Sequence, residues 1–596
     1  MLHTFLPTAA PGNAPGTEWT RGSFSRSPDS SRPAGSNTVP LRALFWFLAI
    51  LLGLLQVGAH RYEVAPDGIS YIEMAQAGGT NFINGYWSPL YPFLLRLVFQ
   101  IVHPSLVWES TVVHFTNLVI FLLNLAAFEV FLKELIRLRA ARFPSDNAFQ
   151  ARPTALLSAR SLWVAGYILF LWAGHFWVTS VWVTPDLCVA GLCYLATAAL
   201  LRIDRNAAGW LTFASLGAVL GLAYWAKAPM FLIALVFLAA AAWLGRTAKA
   251  IQFSVTLLLF LALAAPLVFA LSRAKGRLTF GDSGKINYAE FVNGAPKYVH
   301  WQGEPPGTGI PAHPTHKILS APALYEFSTP IGGSYPPWYD PSYWYEGIEP
   351  HFSLRGQRLA LSRTSSSYLR ILSITGTLYV ILLPLLVFWA RGQVKFARRG
   401  TAPKAWPVWM PAWAALLLYA LVHVEARFVG GFLLMLLMGS LARLRWSPSA
   451  NAVKLAYLMA LAPAMAIAWS AGQNIRALAS SKPFEQWAVA RGLQQMGVAP
   501  GDSVGCLGTG LEAYWAHLAQ LRIVAEVSDF GAFVNASGEQ RSEVLPTFGK
   551  LGVKAVLTKQ PDIAHSPEGW QHIAGSRYFV WWPTASPSTL RKPRAR

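Results

Sequence analysis

Apolar runs about as long as a bilayer is thick recur along this chain, divided by short basic turns and a few long polar segments. A membrane-spanning helix needs roughly 20 mostly apolar residues. On that criterion the pattern predicts eleven spans, at 42–59, 111–132, 161–179, 185–201, 209–226, 228–244, 251–272, 368–390, 406–423, 427–442 and 453–471. The pairs meeting at Lys227 and Arg427 leave room only for very tight turns. Residues 1–40 are rich in Ser, Pro, Gly and Thr, carry no apolar period, and read as a disordered cytoplasmic segment. They are too long and polar for the start of a signal peptide, so the first run is expected to stay as a helix.

Lys and Arg in the loops set the expected orientation. Segment 133–160 holds Lys133, Arg137, Arg139, Arg142, Arg152 and Arg160, and segment 391–404 holds Arg391, Lys395, Arg398, Arg399 and Lys404. Arg202 with Arg205, Arg246 with Lys249, and Arg443 with Arg445 mark three more basic turns. With a cytoplasmic N-terminus and eleven spans, all five loops fall on the cytoplasmic side, while the opposite turns 180–184 and 424–426 contain no Lys or Arg. The transmembrane part then covers 41–472, with outer loops 60–110 and 273–367, and the tail also lies outside.

The tail, 475–590, reads as a small α/β domain. Helices are expected at 483–496, near 511–521 and near 538–551, alternating with strands Ser503–Leu507, Arg522–Val527, Val553–Thr558 and Tyr578–Trp582. Gly505, Gly508 and Gly510 lack dinucleotide-loop spacing and read as a strand-to-helix turn. The fold class expected is therefore mainly α: a polytopic helix bundle with a small C-terminal α/β domain.

Composition strengthens this picture. Of 596 residues, 54% are hydrophobic and 13% charged, against about 25% charged in soluble domains. That excludes a soluble enzyme with a large core. The net charge of +21 sits mainly in the short loops, so it reads as topology rather than as a nucleic-acid surface. Cys188, Cys193 and Cys506 form neither a disulfide framework nor a metal-ligand spacing.

Candidate chemistry gathers at the expected outer edge. Asp67, in Pro66-Asp67-Gly68, follows the first span at the start of a short amphipathic helix, with a second helix expected at 90–101. It is placed to act at a lipid headgroup, or simply to cap its helix. Asp186, in Thr184-Pro185-Asp186, opens the fourth span, with Thr184 a good cap and Pro185 a good first helical residue. Lys227 and Arg427 sit in the same layer, against the positive-inside trend. They call for pairing with Glu425, Asp186 or Asp67, or for a phosphate, which a guanidinium grips with its planar fork. Loop 273–367 is dense in Pro and aromatics around Trp338 and Tyr339, either a belt at the interface or a cap over a cleft. It also carries Glu326, Asp340 and Glu346, and His313 and His316, which have no further metal-ligand spacing around them.

The order of these pieces resembles the GT-C glycosyltransferases, in particular the group with protein O-mannosyltransferases, lipid A aminoarabinose transferases and rhizobial galacturonosyltransferases. The likeness rests on Pro66-Asp67-Gly68 with Tyr71 and Ala75, the two interfacial helices, Thr184-Pro185-Asp186, Gly221-Leu222-Ala223 leading to Lys227-Ala228-Pro229, and Arg427-Phe428. The chain departs from it at Gly68, where paired acids are common, and at Ala228, where Gly is common. The resemblance implies a hexosyl- or pentosyltransferase that moves a sugar from a polyprenyl-phosphate carrier to a lipid, glycan or protein hydroxyl. It implies Asp67 and Asp186 as catalytic residues, and Lys227, Arg427, Tyr71, Glu425, Trp338 and Tyr339 as substrate-binding ones. No cofactor is called for, with a divalent cation left open; the partners are the donor, the acceptor and membrane lipids, not nucleic acid. The setting implied is a bacterial inner membrane, with the tail outside the cytoplasm. The competing readings are a transporter for lipid-linked glycans, which predicts polar residues deep in several spans, and a non-catalytic assembly protein.

Overall fold

The computed structural model describes residues 39–142, 155–245, 249–297, 300–328, 330–392, 394–396, 406–446, 450–480, 483–559 and 569–583. The disorder expected before Val39 falls outside the described residues. So do parts of the basic loops 133–160 and 391–404.

The first half runs through α1 (Val39–His60), α2 (Pro66–Ala77), α3 (Leu90–Val102), α4 (Leu106–Arg142), α5 (Ala159–Phe176), α6 (Asp186–Asp204), α7 (Trp210–Ala226), α8 (Met230–Gly245) and α9 (Ala250–Lys275). Then come the short α10 (Ser283–Tyr288), α11 (Pro336–Tyr339) and α12 (Pro341–Trp344), and the long α13 (Leu354–Ser373), α14 (Thr377–Ala390), α15 (Trp406–Ala420), α16 (Ala426–Leu441) and α17 (Ala450–Ala479). The tail adds α18 (Glu485–Gln495), α19 (Tyr514–Leu518), α20 (Phe530–Asn535) and α21 (Gly538–Lys550). Each expected apolar run but that at 368–390 falls on one of these helices. Among the described residues, α1, α4, α6 and α9 are long and apolar enough to cross a membrane; α3, α7, α8 and α16 are shorter apolar helices. The protein is an integral membrane protein.

The run expected at 368–390 is not one helix. It is the end of α13 and all of α14, broken where Thr375 (φ 60°) and Gly376 (φ 65°) take left-handed backbone. A β-branched residue rarely does so. The Thr375 hydroxyl is held by Thr377 Oγ1 at 2.6 Å and by Trp172 Nε1 at 3.3 Å, which fixes the break.

The helices pack α4 on α6, α6 on α7 and α7 on α9. In lipid, close approach of backbones replaces the hydrophobic effect as the reason for helices to meet. Gly217 of α7 supplies it: a Cβ there would collide with the Thr256 carbonyl oxygen of α9, and Gly221 one turn on faces Leu263. The helix carrying Asp67, α2, is itself buried from Gly68 to Ala75. Arg96 of α3 donates to the carbonyls of Ala75 and Gln76 at 3.0 and 3.1 Å, closing the end of α2 where the helix dipole favours a cation. Tyr91 of α3 donates to Asn117 of α4 at 2.7 Å, which anchors α3.

Two sheets complete the fold. β1 (Ala155–Leu156), β4 (Val394–Phe396) and β5 (Leu444–Trp446) make a small antiparallel sheet in the order β1-β5-β4. The larger one is seven-stranded. β6 (Ser503–Leu507) lies parallel between β7 (Arg522–Val527) and β8 (Ala555–Thr558), with β10 (Phe579–Trp581) and β9 (Gln571–His572) antiparallel beyond β8. These strands alternate with α19 and α21, as the tail's pattern predicts, over a core that includes Leu507, Val524, Val544 and Phe548. Gly505 lies in β6 against the Phe548 ring, and Gly508 turns the chain out of the strand at φ 104°. The sequence reading missed β2 (His316–Ser320) and β3 (Ala323–Glu326). This hairpin from loop 273–367 pairs antiparallel with β7, Tyr325 opposite Glu526.

Candidate functional site

Four chain segments end at one place: the starts of α2, α6 and α16, and the turn between α7 and α8. Pro66 opens α2, where its fixed φ suits the first helical position. Asp67 follows in the first turn, where the helix dipole favours a carboxylate. Its Oδ2 accepts a hydrogen bond from Arg427 Nη2 at 2.9 Å.

Asp186 is the first residue of α6, later than the Thr184–Pro185 opening expected from the sequence. Thr184 is not a cap: its hydroxyl donates to Asp186 Oδ2 at 2.8 Å. The other oxygen, Oδ1, accepts from Lys227 Nζ at 2.5 Å. Lys227 ends α7 with extended backbone (φ −158°, ψ 127°), and its ammonium lies 3.6 Å from the centre of the Phe428 ring.

Arg427 stands in the first turn of α16, the positive end of the dipole, where a cation is normally disfavoured. Three carboxylates offset this. Besides Asp67, Arg427 Nε lies 2.7 Å from Glu425 Oε2 and 3.9 Å from Asp186 Oδ2. Glu425 Oε1 in turn meets His423 Nε2 at 3.0 Å, and the His423 ring stacks on Phe291 at 4.1 Å. The two cations that the sequence left between pairing and phosphate binding are thus both paired with acids. The arrangement is partly buried, with side-chain exposures of 4% for Asp186 and 13% for Arg427, so these charges act more strongly on one another than in water.

The titration of nearby groups follows. Burial would raise the Glu425 carboxyl, but the His423 hydrogen bond and the Arg427 charge hold it down at about 2. Burial pulls the Lys227 ammonium below its ordinary range, and Asp186 restores only part of that. The Tyr71 phenol is pushed well up by burial, then by the charges of Asp67 and Asp186.

Asp67, Asp186, Lys227, Glu425 and Arg427 line a cavity of about 230 Å³. Tyr71, Tyr86, Trp87, Asn287, Trp338 and Tyr419 form much of the remaining wall. The Trp338 carbonyl accepts from Ser70 Oγ at 2.9 Å and Trp87 Nε1 at 3.1 Å, tying the aromatic loop to α2. Tyr339 stands outside the lining; its hydroxyl donates to Asn81 Oδ1 at 2.9 Å and its carbonyl accepts from Asn84 at 3.1 Å. Beyond Arg427, a second groove of about 360 Å³ is lined by Phe176, Trp177, Trp182, Arg370 and again Glu425 and Arg427. His423, Phe428, Tyr86 and Trp87 were not picked from the sequence as site residues. An aromatic or histidine in an aromatic-rich membrane chain carries no periodicity that separates wall from belt.

The acids and histidines that the sequence singled out in the long loop are used locally. Asp340 caps α12 through the Ser342 N–H at 3.0 Å, His313 meets Glu346 at 3.4 Å, and His316 meets Glu326 across the hairpin at 3.3 Å. Among the described residues, no group of three or more His, Cys, Asp or Glu side chains is placed to hold a metal ion.

No family model matches the chain, and no curated protein does. Solved structures do. ArnT from Cupriavidus metallidurans in the apo state is similar with a TM-score of 0.51 and 12% identity, over 91% of this chain and 98% of that one. The same protein bound to undecaprenyl phosphate gives a TM-score of 0.51 and 13% identity, over 94% and 100%. The Archaeoglobus fulgidus oligosaccharyltransferase, in complex with Zn and sulfate, is a more distant likeness, with a TM-score of 0.43 and 12% identity over 86% and 67%. The chain therefore has the GT-C fold, in the form found in ArnT.

Proposed function

We propose that this protein is a glycosyltransferase that moves a sugar from a polyprenyl-phosphate carrier to a hydroxyl of a lipid, glycan or protein on the outer face of a bacterial inner membrane. The observation that carries this reading is the convergence of Asp67, Lys227 and Arg427 on one cavity, with Arg427 within 2.9 Å of Asp67. Support comes from the ArnT fold and from the undecaprenyl phosphate bound in one ArnT structure.

In this reading the donor phosphate lies between Lys227 and Arg427, near the first turn of α16. A helix start with an arginine fork is a strong anion site. The phosphate takes Asp67's place on Arg427. Asp67, released, accepts the proton of the acceptor hydroxyl as general base. The acceptor oxygen bonds to the anomeric carbon as the sugar–phosphate C–O bond breaks. The bonding electron pair leaves with the phosphate, whose charge the two cations stabilise. Direct attack inverts the anomeric centre. Asp186 holds Lys227 in place and is the second acid of the site. Tyr71, Glu425 and Trp338 complete the substrate-binding set, Tyr339 lying outside the cavity, and the aromatic groove beyond Arg427 accommodates part of the carrier chain.

The test is sugar release from a panel of radiolabelled polyprenyl-phosphate sugars in nanodiscs, with a crude membrane extract as acceptor. Wild type should consume one donor and Asp67→Asn should not. Full transfer by a folded Asp67→Asn protein would remove the base role; no donor consumed with every acceptor fraction would favour transport instead.

A further inference from the structure

A second ionic cluster lies apart from the cavity, where α19 of the tail meets α2 and α4. His517 Nδ1 is 3.2 Å from Glu73 Oε1, and its Nε2 is 2.8 Å from Glu109 Oε1. Tyr514 stacks on His517 with ring centroids 5.5 Å apart and donates its hydroxyl to Glu109 Oε1 at 2.9 Å. Gln76 donates to the other Glu109 oxygen. All three charged side chains are below 10% exposed, at 6%, 9% and 3%.

Two carboxylates buried this closely need a cation or a shared proton. Both ring nitrogens of His517 face a carboxylate oxygen, and only the imidazolium has a proton to donate to each. Burial alone would lower its pKa, but the Glu109 and Glu73 carboxylates raise it to about 10. The other titratable groups facing the cluster are the Tyr514 phenol, on His517's own helix, and the Tyr339 phenol, which feels Glu73 from the aromatic loop.

Glu73 connects this cluster to the cavity. It lies on α2 with Asp67 and Tyr71. Its Oε1 also accepts the Ser334 N–H at 3.0 Å, at the head of the segment whose Trp338 walls the cavity. We propose that His517 is a positioning residue for the transfer reaction: through Glu73 it holds α2 and segment 334–338 in one register, so that the tail sets the spacing between Asp67 and the aromatic wall. The inference rests on the transfer activity proposed above.

The test is His517→Gln in the full-length protein. With the cation gone, the two buried carboxylates face one another without a partner between them. The variant should lose roughly ten- to a hundredfold in kcat, with donor KM unchanged, the scale expected of a small misplacement. In Glu73→Gln/His517→Gln, which removes the repulsion, kcat should recover in part. Hydrogen exchange on the same proteins in nanodiscs should show faster exchange in 66–77 and 334–345 for His517→Gln, with α9 unchanged. Glu73→Gln, which keeps the His517–Glu109 pair, should loosen the same two segments to a smaller degree and serves if His517→Gln does not fold. Unchanged exchange in both segments, or an unchanged kcat, overturns the proposal. If wild type transfers no sugar, the transfer reading falls, and the exchange result alone decides whether His517 holds the two segments.

Discussion

Arg427 and Asp67 are 360 positions apart in the chain and meet at 2.9 Å, with the guanidinium also at 2.7 Å from Glu425. In the proposed reaction the donor phosphate takes the guanidinium, so the pair links arrival of the anionic donor to release of Asp67 as the base.

The first prediction concerns that base. Asp67→Asn should lower transfer by roughly a hundredfold or more, the range of general-base catalysis. Donor binding should persist, because Arg427 keeps Glu425 and Lys227 keeps Asp186. Single-turnover transfer and equilibrium donor binding, measured side by side, check it. Loss of both together would mean that Asp67 holds the site rather than acts in it.

Arg427→Lys is the sharper test of the phosphate role. A single ammonium cannot reach Glu425 and Asp67 from two directions as Nε and Nη2 do. Donor affinity should fall about tenfold, the loss expected when a bidentate contact becomes a point charge. A saturation curve superimposable on wild type would count against phosphate binding by Arg427.

The His517 cluster makes a stability prediction with a fixed sign. Its folded pKa, about 10, lies above that of the free side chain, near 6.5. A raised folded pKa contributes stability that is complete below the unfolded value and is lost as pH rises through the folded one. The margin of wild type over His517→Gln in thermal unfolding should be full near about pH 6.5 and shrink towards about pH 10. A margin flat across that window would show that His517 is neutral in the fold.

Helix packing offers a paired comparison. Gly217→Ala puts a methyl group against the Thr256 carbonyl, whereas nothing lies within 4 Å of a Cβ at Gly472. Overpacking of this kind costs about 1–3 kcal/mol. Gly217→Ala should lower the unfolding temperature in detergent, and Gly472→Ala should leave it unchanged or raise it.

Much of this was legible in the sequence, for identifiable reasons. Spans are legible because the bilayer imposes a length and an apolar composition on each. Asp67, Asp186, Lys227 and Arg427 stood out because charge at a membrane edge is costly and has to be accounted for. What pairs with what was not legible: the contact of Lys227 with Asp186 rather than Asp67 depends on how α6, α7 and α16 pack. The break at Thr375 was hidden because the residues on either side of it read as one apolar run. The hairpin β2–β3 was missed because its partner strand lies in the tail, and pairing across such a separation leaves no local mark. His517, Glu73 and Glu109 looked like ordinary helix residues for the same reason.

That hairpin also bears on how the molecule is made. Tyr325 pairs with Glu526, and Tyr335 donates to the same Glu526 from 191 positions away. During synthesis the hairpin emerges well before β7 exists, and it waits as an open edge, a hazard for wrong pairing. The last spans and most of the tail must be made before the edge closes. Completion of the aromatic wall is therefore a late event in biogenesis, and a chain that stops short of β7 carries the acids and cations of the cavity without the finished wall above them.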